Sequence, residues 1–255
     1  MKRSLLVNFI LSLIIYFSID CFLVKFTGVS FLFRFSIGYF FCIVIIFSGY
    51  FEQKKIMNIL NNECDPQKCL AEYVKFEKYI PTKSYKASYE LNRCTIFSHV
   101  GNFESSFSIL ESIDPKILKK PFKYLYSGNL MTACLRASDL AKAKEAWDQL
   151  YCMEIPKKFL PVKEFNIIYA DLLFFNPSDE NRKLFVEKAE KILSENEDKF
   201  SMLAKVSMKH YIGIVYFELD EYEKAKDYFS YTIEHGNKLH IVELSRQYLE
   251  RINAL

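Results

Sequence analysis

The sequence has little of what most enzymes show in recognisable form. It holds only seven glycines in 255 residues and contains no G-x-x-x-x-G-K-[ST], G-x-G-x-x-G or G-x-S-x-G, which leaves no phosphate-cradling loop or nucleophile elbow to find. The four histidines, His99, His210, His235 and His240, stand in no H-E-x-x-H pattern and beside no cysteine pair. Seven cysteines, at 21, 42, 64, 69, 94, 134 and 152, are odd in number and scattered, which excludes a disulfide framework and fits small apolar side chains. Cys64 and Cys69 have no second pair at zinc-site spacing. Net charge is weak as well. Of the 34 Lys and Arg, four lie in the first 51 residues, and of the 31 Asp and Glu only Asp20 does, so 52–255 is formally neutral. "KILKK" and "PKK" are short and isolated, so nucleic acid is not an expected partner. The expectation is a protein that is not an enzyme, with no catalytic residue, metal site or cofactor.

What is present in excess is apolar sequence at one end. Residues 5–24, "LLVNFILSLIIYFSIDCFLV", match the length needed to cross a bilayer of roughly 30 Å. Residues 33–51 supply a second apolar run if Arg34 snorkels to the interface. Lys2 and Arg3 would also suit a signal peptide, but the run is longer than a usual h-region, lacks an A-x-A-like site and is succeeded at once by another apolar segment. The two read as a transmembrane helical hairpin, with Asp20 near its far interface in a structural or snorkelling role and a functional intramembrane charge as the alternative. Lys2, Arg3, Lys54 and Lys55 on one side against Lys25 and Arg34 on the other place 52–255 in the cytoplasm by the positive-inside rule. The expected organisation is 1–51 as a multi-pass cell-membrane anchor and 52–255 as a second domain.

In that second part, "YIGIVYFELDEYEKAKDYFS" (211–230) places Ile212, Gly213, Tyr216 and Leu219 on one helical face and Tyr222, Ala225, Phe229 and Thr232 on another, with a turn between. With Val206 as position 1, Gly213 is position 8, Tyr216 is 11, Tyr222 is 17, Ala225 is 20 and Phe229 is 24. This pattern resembles the tetratricopeptide repeat, a helix-turn-helix unit with small residues at 8 and 20 and bulky ones at 11, 17 and 24. A start at Tyr124 places Cys134, Leu140, Ala143 and Trp147 at 11, 17, 20 and 24. A start at Ala87 places Cys94, Phe97, Phe103, Ser106 and Leu110 at 8, 11, 17, 20 and 24. A weaker unit starts at Tyr50, with Met57, Cys69, Tyr73 and Pro81 at 8, 20, 24 and 32, and a divergent one at 161 needs a longer turn around "NPSDEN". "IVELSRQYLERI" (241–252) reads as a capping helix with Glu243, Arg246, Glu250 and Arg251 outward.

The resemblance, to a membrane-anchored bacterial type, implies an all-α chain in which about five hairpins stack into an α-solenoid. Its concave groove would be lined by the first helix of each unit. Positions 2, 5, 9 and 12 would face that groove: Leu91, Thr95, Ser98, Leu125, Thr132, Leu135, Phe165, Tyr169, Leu172, His210, Ile214 and Phe217. Members that grip a C-terminal carboxylate carry Lys and Asn at 5 and 9, which this chain lacks. The lining suits an amphipathic helix or an extended apolar peptide. The implied function is a membrane-anchored adaptor or scaffold for a protein or peptide partner; the alternative is a membrane-tethered receptor for a small signalling peptide.

Overall fold

The computed structural model describes residues 51–77, 83–136, 139–155, 157–174 and 177–255. The proposed membrane hairpin, with Asp20, and Pro81 of the weak first unit lie outside them. Among the described residues no helix is long and apolar enough to cross a membrane. Contacts divide the chain into two units, 1–56 and 57–255.

The second unit is all-α, with no strand among its described residues. After helical residues 57–63 come α1 (Pro66–Val74), α2 (Lys83–Val100), α3 (Phe103–Ser112), α4 (Lys120–Arg136), α5 (Leu140–Cys152), α6 (Leu160–Phe174), α7 (Asp179–Glu195), α8 (Met202–Glu218), α9 (Tyr222–His235) and α10 (His240–Asn253). The pairs α2/α3, α4/α5, α6/α7 and α8/α9 are hairpins, each touching the next, and α10 packs on α9.

Local chemistry explains where these helices begin. Asp65, Asn102, Asp139, Ser178 and Ser201 are N-caps whose side chains accept from the N–H three residues on, as in Lys68 N to Asp65 Oδ1 at 2.9 Å. Three hairpin turns close the same way. Asn102 N donates to Phe97 O at 3.0 Å, Asp139 N to Cys134 O at 2.9 Å and Glu221 N to Tyr216 O at 3.0 Å. In every case position 11 of a unit accepts from position 16, the six-to-one bond of a Schellman ending. It requires a left-handed residue just before, supplied by Gly101 (φ +92) and Asp220 (φ +59).

Small residues let the paired helices approach. Ala143, Ala189 and Ala225 are fully buried, and Ser106 sits against Cys94 with its Oγ donating to Cys94 O at 3.1 Å. The largest core runs through α6 to α10 around Phe165, Phe185, Ile212, Tyr216 and Phe229. Tyr216 and Tyr228 both donate to Glu190 Oε1 at 2.7 Å, tying α8 and α9 to α7. Leu140, expected to pack at position 17, is instead exposed. Cys64, Cys69, Cys94 and Cys134 are buried, and burial pushes the thiols of the first three up to about 11, which keeps them neutral and unreactive.

The C-terminal end returns to the first described hairpin. Asn237 Nδ2 donates to Glu63 O at 2.8 Å, Lys238 N to Cys64 O at 3.2 Å, and Lys238 Nζ pairs with Asp65 Oδ2 at 2.8 Å. His240 sets its ring edge-on to Phe103 at 5.3 Å. Glu243, Arg246, Glu250 and Arg251 are exposed on α10, while Ile241, Val242, Ser245 and Ile252 are buried. The last helix therefore covers the end of the stack and also joins it to the start.

Candidate binding cavity

The 57–255 unit holds a polar cavity between the first helices of three of its hairpins. Its walls are Thr95, Ser98 and His99 of α2, Asn129, Thr132 and Arg136 of α4, Ser207 and Tyr211 of α8, and His240 and Ile241 at the start of α10. The volume is about 140 Å³, and a neighbouring pocket of about 300 Å³ shares Ser98, Asn129 and Arg136 and adds Phe103, Glu104 and Phe107. Hydroxyls on helices normally bond back to their own backbone, and two here do so: Thr95 Oγ1 to Leu91 O at 3.1 Å and Thr132 Oγ1 to Gly128 O at 3.0 Å. Asn129 Nδ2 then donates to Thr95 Oγ1 at 2.8 Å, linking α4 to α2.

Arg136 ends α4 and lies over the Phe103 ring at 3.6 Å, with Nη1 donating to Ser98 Oγ at 3.3 Å. It retains open surface. The surrounding protein lowers its pKa, an effect opposed by the nearby Tyr211 and Tyr169 side chains. Arginine stays charged even so. The neighbouring imidazoles are held neutral: burial, then Arg136, pushes His99 down to about 4, and burial, then His240 and Arg136, does the same to His210. His240 is lowered by the same two causes as His99.

The structure brings Thr95 into the cavity wall, together with Ser98 and Thr132, and sends other candidates elsewhere. Leu91, Phe165 and His210 do not face a groove: they are 0%, 2% and 1% exposed. All three occupy position 5, which points into the packed core. Leu91 packs with Ala87, Cys94 and Leu110, and His210 Nδ1 bonds Ser245 Oγ at 2.8 Å. Leu135, Ile214 and Phe217 are half-buried against the core, Phe217 edge-on to Tyr248 at 5.1 Å. Tyr169 sits at 4.6 Å from Tyr211, and burial raises its hydroxyl pKa strongly.

Sequence reasoning missed His99, Asn129, Arg136, Tyr211, Ser207, His240 and Ile241. The first four fall at positions 6 and 13. Positions 2, 6, 9 and 13 form a single stripe at helical spacing, and polar residues recur along it: Thr95 and His99; Asn129, Thr132 and Arg136; Ser207 and Tyr211. That polar periodicity was the available signal.

Compared with known proteins, the chain matches no family model, no curated protein and no solved structure. The reading of this cavity therefore rests on its own chemistry.

Neutral buried histidine also sets a pH response. The unfolded chain protonates His210 near the ordinary value of about 6.5, whereas the folded chain resists until about pH 4. Stability is therefore full above the upper value and declines as pH falls through that window. Thermal unfolding at pH 7 and pH 4.5 should show this loss, and His210→Gln should show a smaller one.

Proposed function

We propose that residues 57–255 form a tetratricopeptide-like binding module, tethered to a cell membrane by the two apolar segments of the N-terminal region. The module serves as an adaptor that holds a protein or peptide partner. The observation that carries this reading is the cavity wall itself, built from the first helices of three hairpins, α2, α4 and α8, with α10 at its edge. The shared turn geometry of those hairpins supports the family resemblance. A binder suits the lining, which offers hydroxyls, an amide and one cation.

A specific observation favours the second reading, a receptor for a short peptide. The cavity, about 140 Å³, suits a side chain or chain end of a small ligand better than the surface of a folded partner. Neither reading assigns a catalytic step.

Photo-crosslinking in native membranes tests both. A photoreactive residue at position 95 should capture a polypeptide that one at exposed position 191 on α7 does not. A high-mass adduct supports the adaptor and a low-mass one the receptor, while equal yields at both positions or none at 95 overturn the binding reading. In the same intact cells an impermeant thiol reagent should leave exposed Cys152 unlabelled if the module is cytoplasmic, and labelling would place it outside.

A further inference from the structure

The cavity contains a cation without an anion. Arg93, Arg182 and Arg246 each pair with a carboxylate, to Glu90 at 2.9 Å, Asp179 and Glu218 at 3.0 Å and Glu243 at 3.3 Å. Arg136 and Arg251 have no such partner among the described residues, and of the two Arg136 lines the cavity whereas Arg251 lies over Phe217 and Tyr248. Glu104 borders the neighbouring pocket without pairing to Arg136.

The partners Arg136 does have are informative. Guanidinium has only donors, so the Ser98 oxygen accepts from it, and the Tyr211 hydroxyl stands in the same cavity wall. Each hydroxyl keeps its own proton to give, and no described acceptor takes either one. A fixed cation flanked by two free hydroxyl donors is a receptor for oxygen anions, and a guanidinium fork matches a carboxylate or phosphate in two parallel bonds. Stacking on Phe103 at 3.6 Å limits the rotation of the fork, which reduces the entropy lost on binding. The remaining wall groups are the hydroxyls of Thr95, Thr132 and Ser207, the amide of Asn129, the imidazoles of His99 and His240 and the alkyl chain of Ile241, none of which repels an anion. The cavity of about 140 Å³ is roomy, since one water needs only roughly 10–15 Å³ of the same measure.

We propose that this cavity binds a small molecule through an oxyanion group, carboxylate or phosphate, held by Arg136 with Ser98 and Tyr211 donating to the same oxygens. The site needs no macromolecular partner, so it stands or falls independently of the adaptor reading. Its charge complement comes from position 13 of a first helix, whereas positions 5 and 9 supply none.

The test is thermal unfolding of the full chain in mild detergent at matched ionic strength, with inorganic phosphate, succinate or chloride as the added anion. Phosphate or succinate should raise Tm above the chloride control with saturation, and which of the two does so identifies the group. Arg136→Gln should weaken the effect at least about tenfold, the range lost with a charged hydrogen bond; Arg136→Lys should retain part of it. Should Arg136→Gln fail to fold, Ser98→Ala and Tyr211→Phe keep the cation and should each weaken binding several-fold. The His99 imidazole resonance should also move on titration of the wild type, since an anion at Arg136 removes the repulsion that opposes its protonation. Equal response to all three salts, or an undiminished response in the Arg136 or Ser98 and Tyr211 variants, overturns the site. Photo-capture at position 95 would be unaffected by that result.

Discussion

Phe229→Ala should lower the stability of the 57–255 unit by about 3–5 kcal/mol, the usual cost of removing a buried phenyl ring from a core that relaxes only partly. Phe229 is 0% exposed and stacks on Tyr248 with ring centroids 4.9 Å apart and planes 11° from parallel. Its other face fills the space that Gly213 leaves on α8, where an added Cβ would stand 3.0 Å from the ring. The ring thus fixes both the α8/α9 approach and the seat of α10, so no single neighbour can move into the gap. Net stabilities of folded domains are about 5–15 kcal/mol, so the loss is a large fraction of the total. For a domain of this size each kcal/mol moves Tm by roughly 2–4 °C. Far-UV circular dichroism of the full chain in detergent should show a drop of about 10 °C or more, and Phe229→Leu a smaller one. A Tm indistinguishable from wild type would mean that α8 to α10 do not pack as described.

Gly236→Ala should be costly for a reason its backbone does not reveal. Glycine just after a helix usually serves a left-handed conformation, and the sequence suggests that role here. The structure assigns it otherwise: Gly236 has φ of −81°, and it is Asn237 that turns left-handed at φ +48°. Space is what Gly236 provides. A Cβ there would overlap Val242 Cγ2 and come within 2.5 Å of Thr232 O, which already accepts from Gly236 N at 2.8 Å. A carbonyl at a helix end cannot retreat without breaking that bond, so overpacking should cost about 1–3 kcal/mol or more. The displaced segment is the one that reaches residues 63–65, so hydrogen-exchange protection at Lys238 should fall with the same substitution. Gly128→Ala is the matched control. Nothing lies within 4 Å of its Cβ position inside α4, so alanine should stabilise by roughly 0.5–1 kcal/mol through helix propensity. Equal effects of the two substitutions would refute the spatial argument.

Much of the hairpin architecture was legible because it is local. Asn102, Asp139 and Ser201 cap helices through bonds to residues three places on, and the turns at Gly101 and Asp220 need only a left-handed residue between two apolar stripes. Gly213 and Ala225 reported close approach because a hairpin forces neighbours in sequence to be neighbours in space. The cavity was less legible. Its register was off by one position, with Leu91, Phe165 and His210 buried where a lining was expected. A small rotation of each first helix about its axis exchanges position 5 for 6 and 12 for 13, and nothing within a single helix sets that rotation. It is set by what packs on both sides.

By itself, then, the sequence determined the all-α class, the places where most helices of 57–255 start and turn, and the small residues at which paired helices meet. Tertiary structure decided which stripe of each first helix faces inward, that α10 also reaches back to α2, and that the chain near Lys238 meets Asp65. Periodicity in sequence reports the two sides of one helix and its neighbour a few residues away. Asp65 and Lys238 are 173 residues apart, and Arg136 meets Phe103 and Ser98 of another hairpin while sharing a cavity with Tyr211 of a third. Such meetings depend on the summed twist of every intervening hairpin, a quantity that no local spacing encodes.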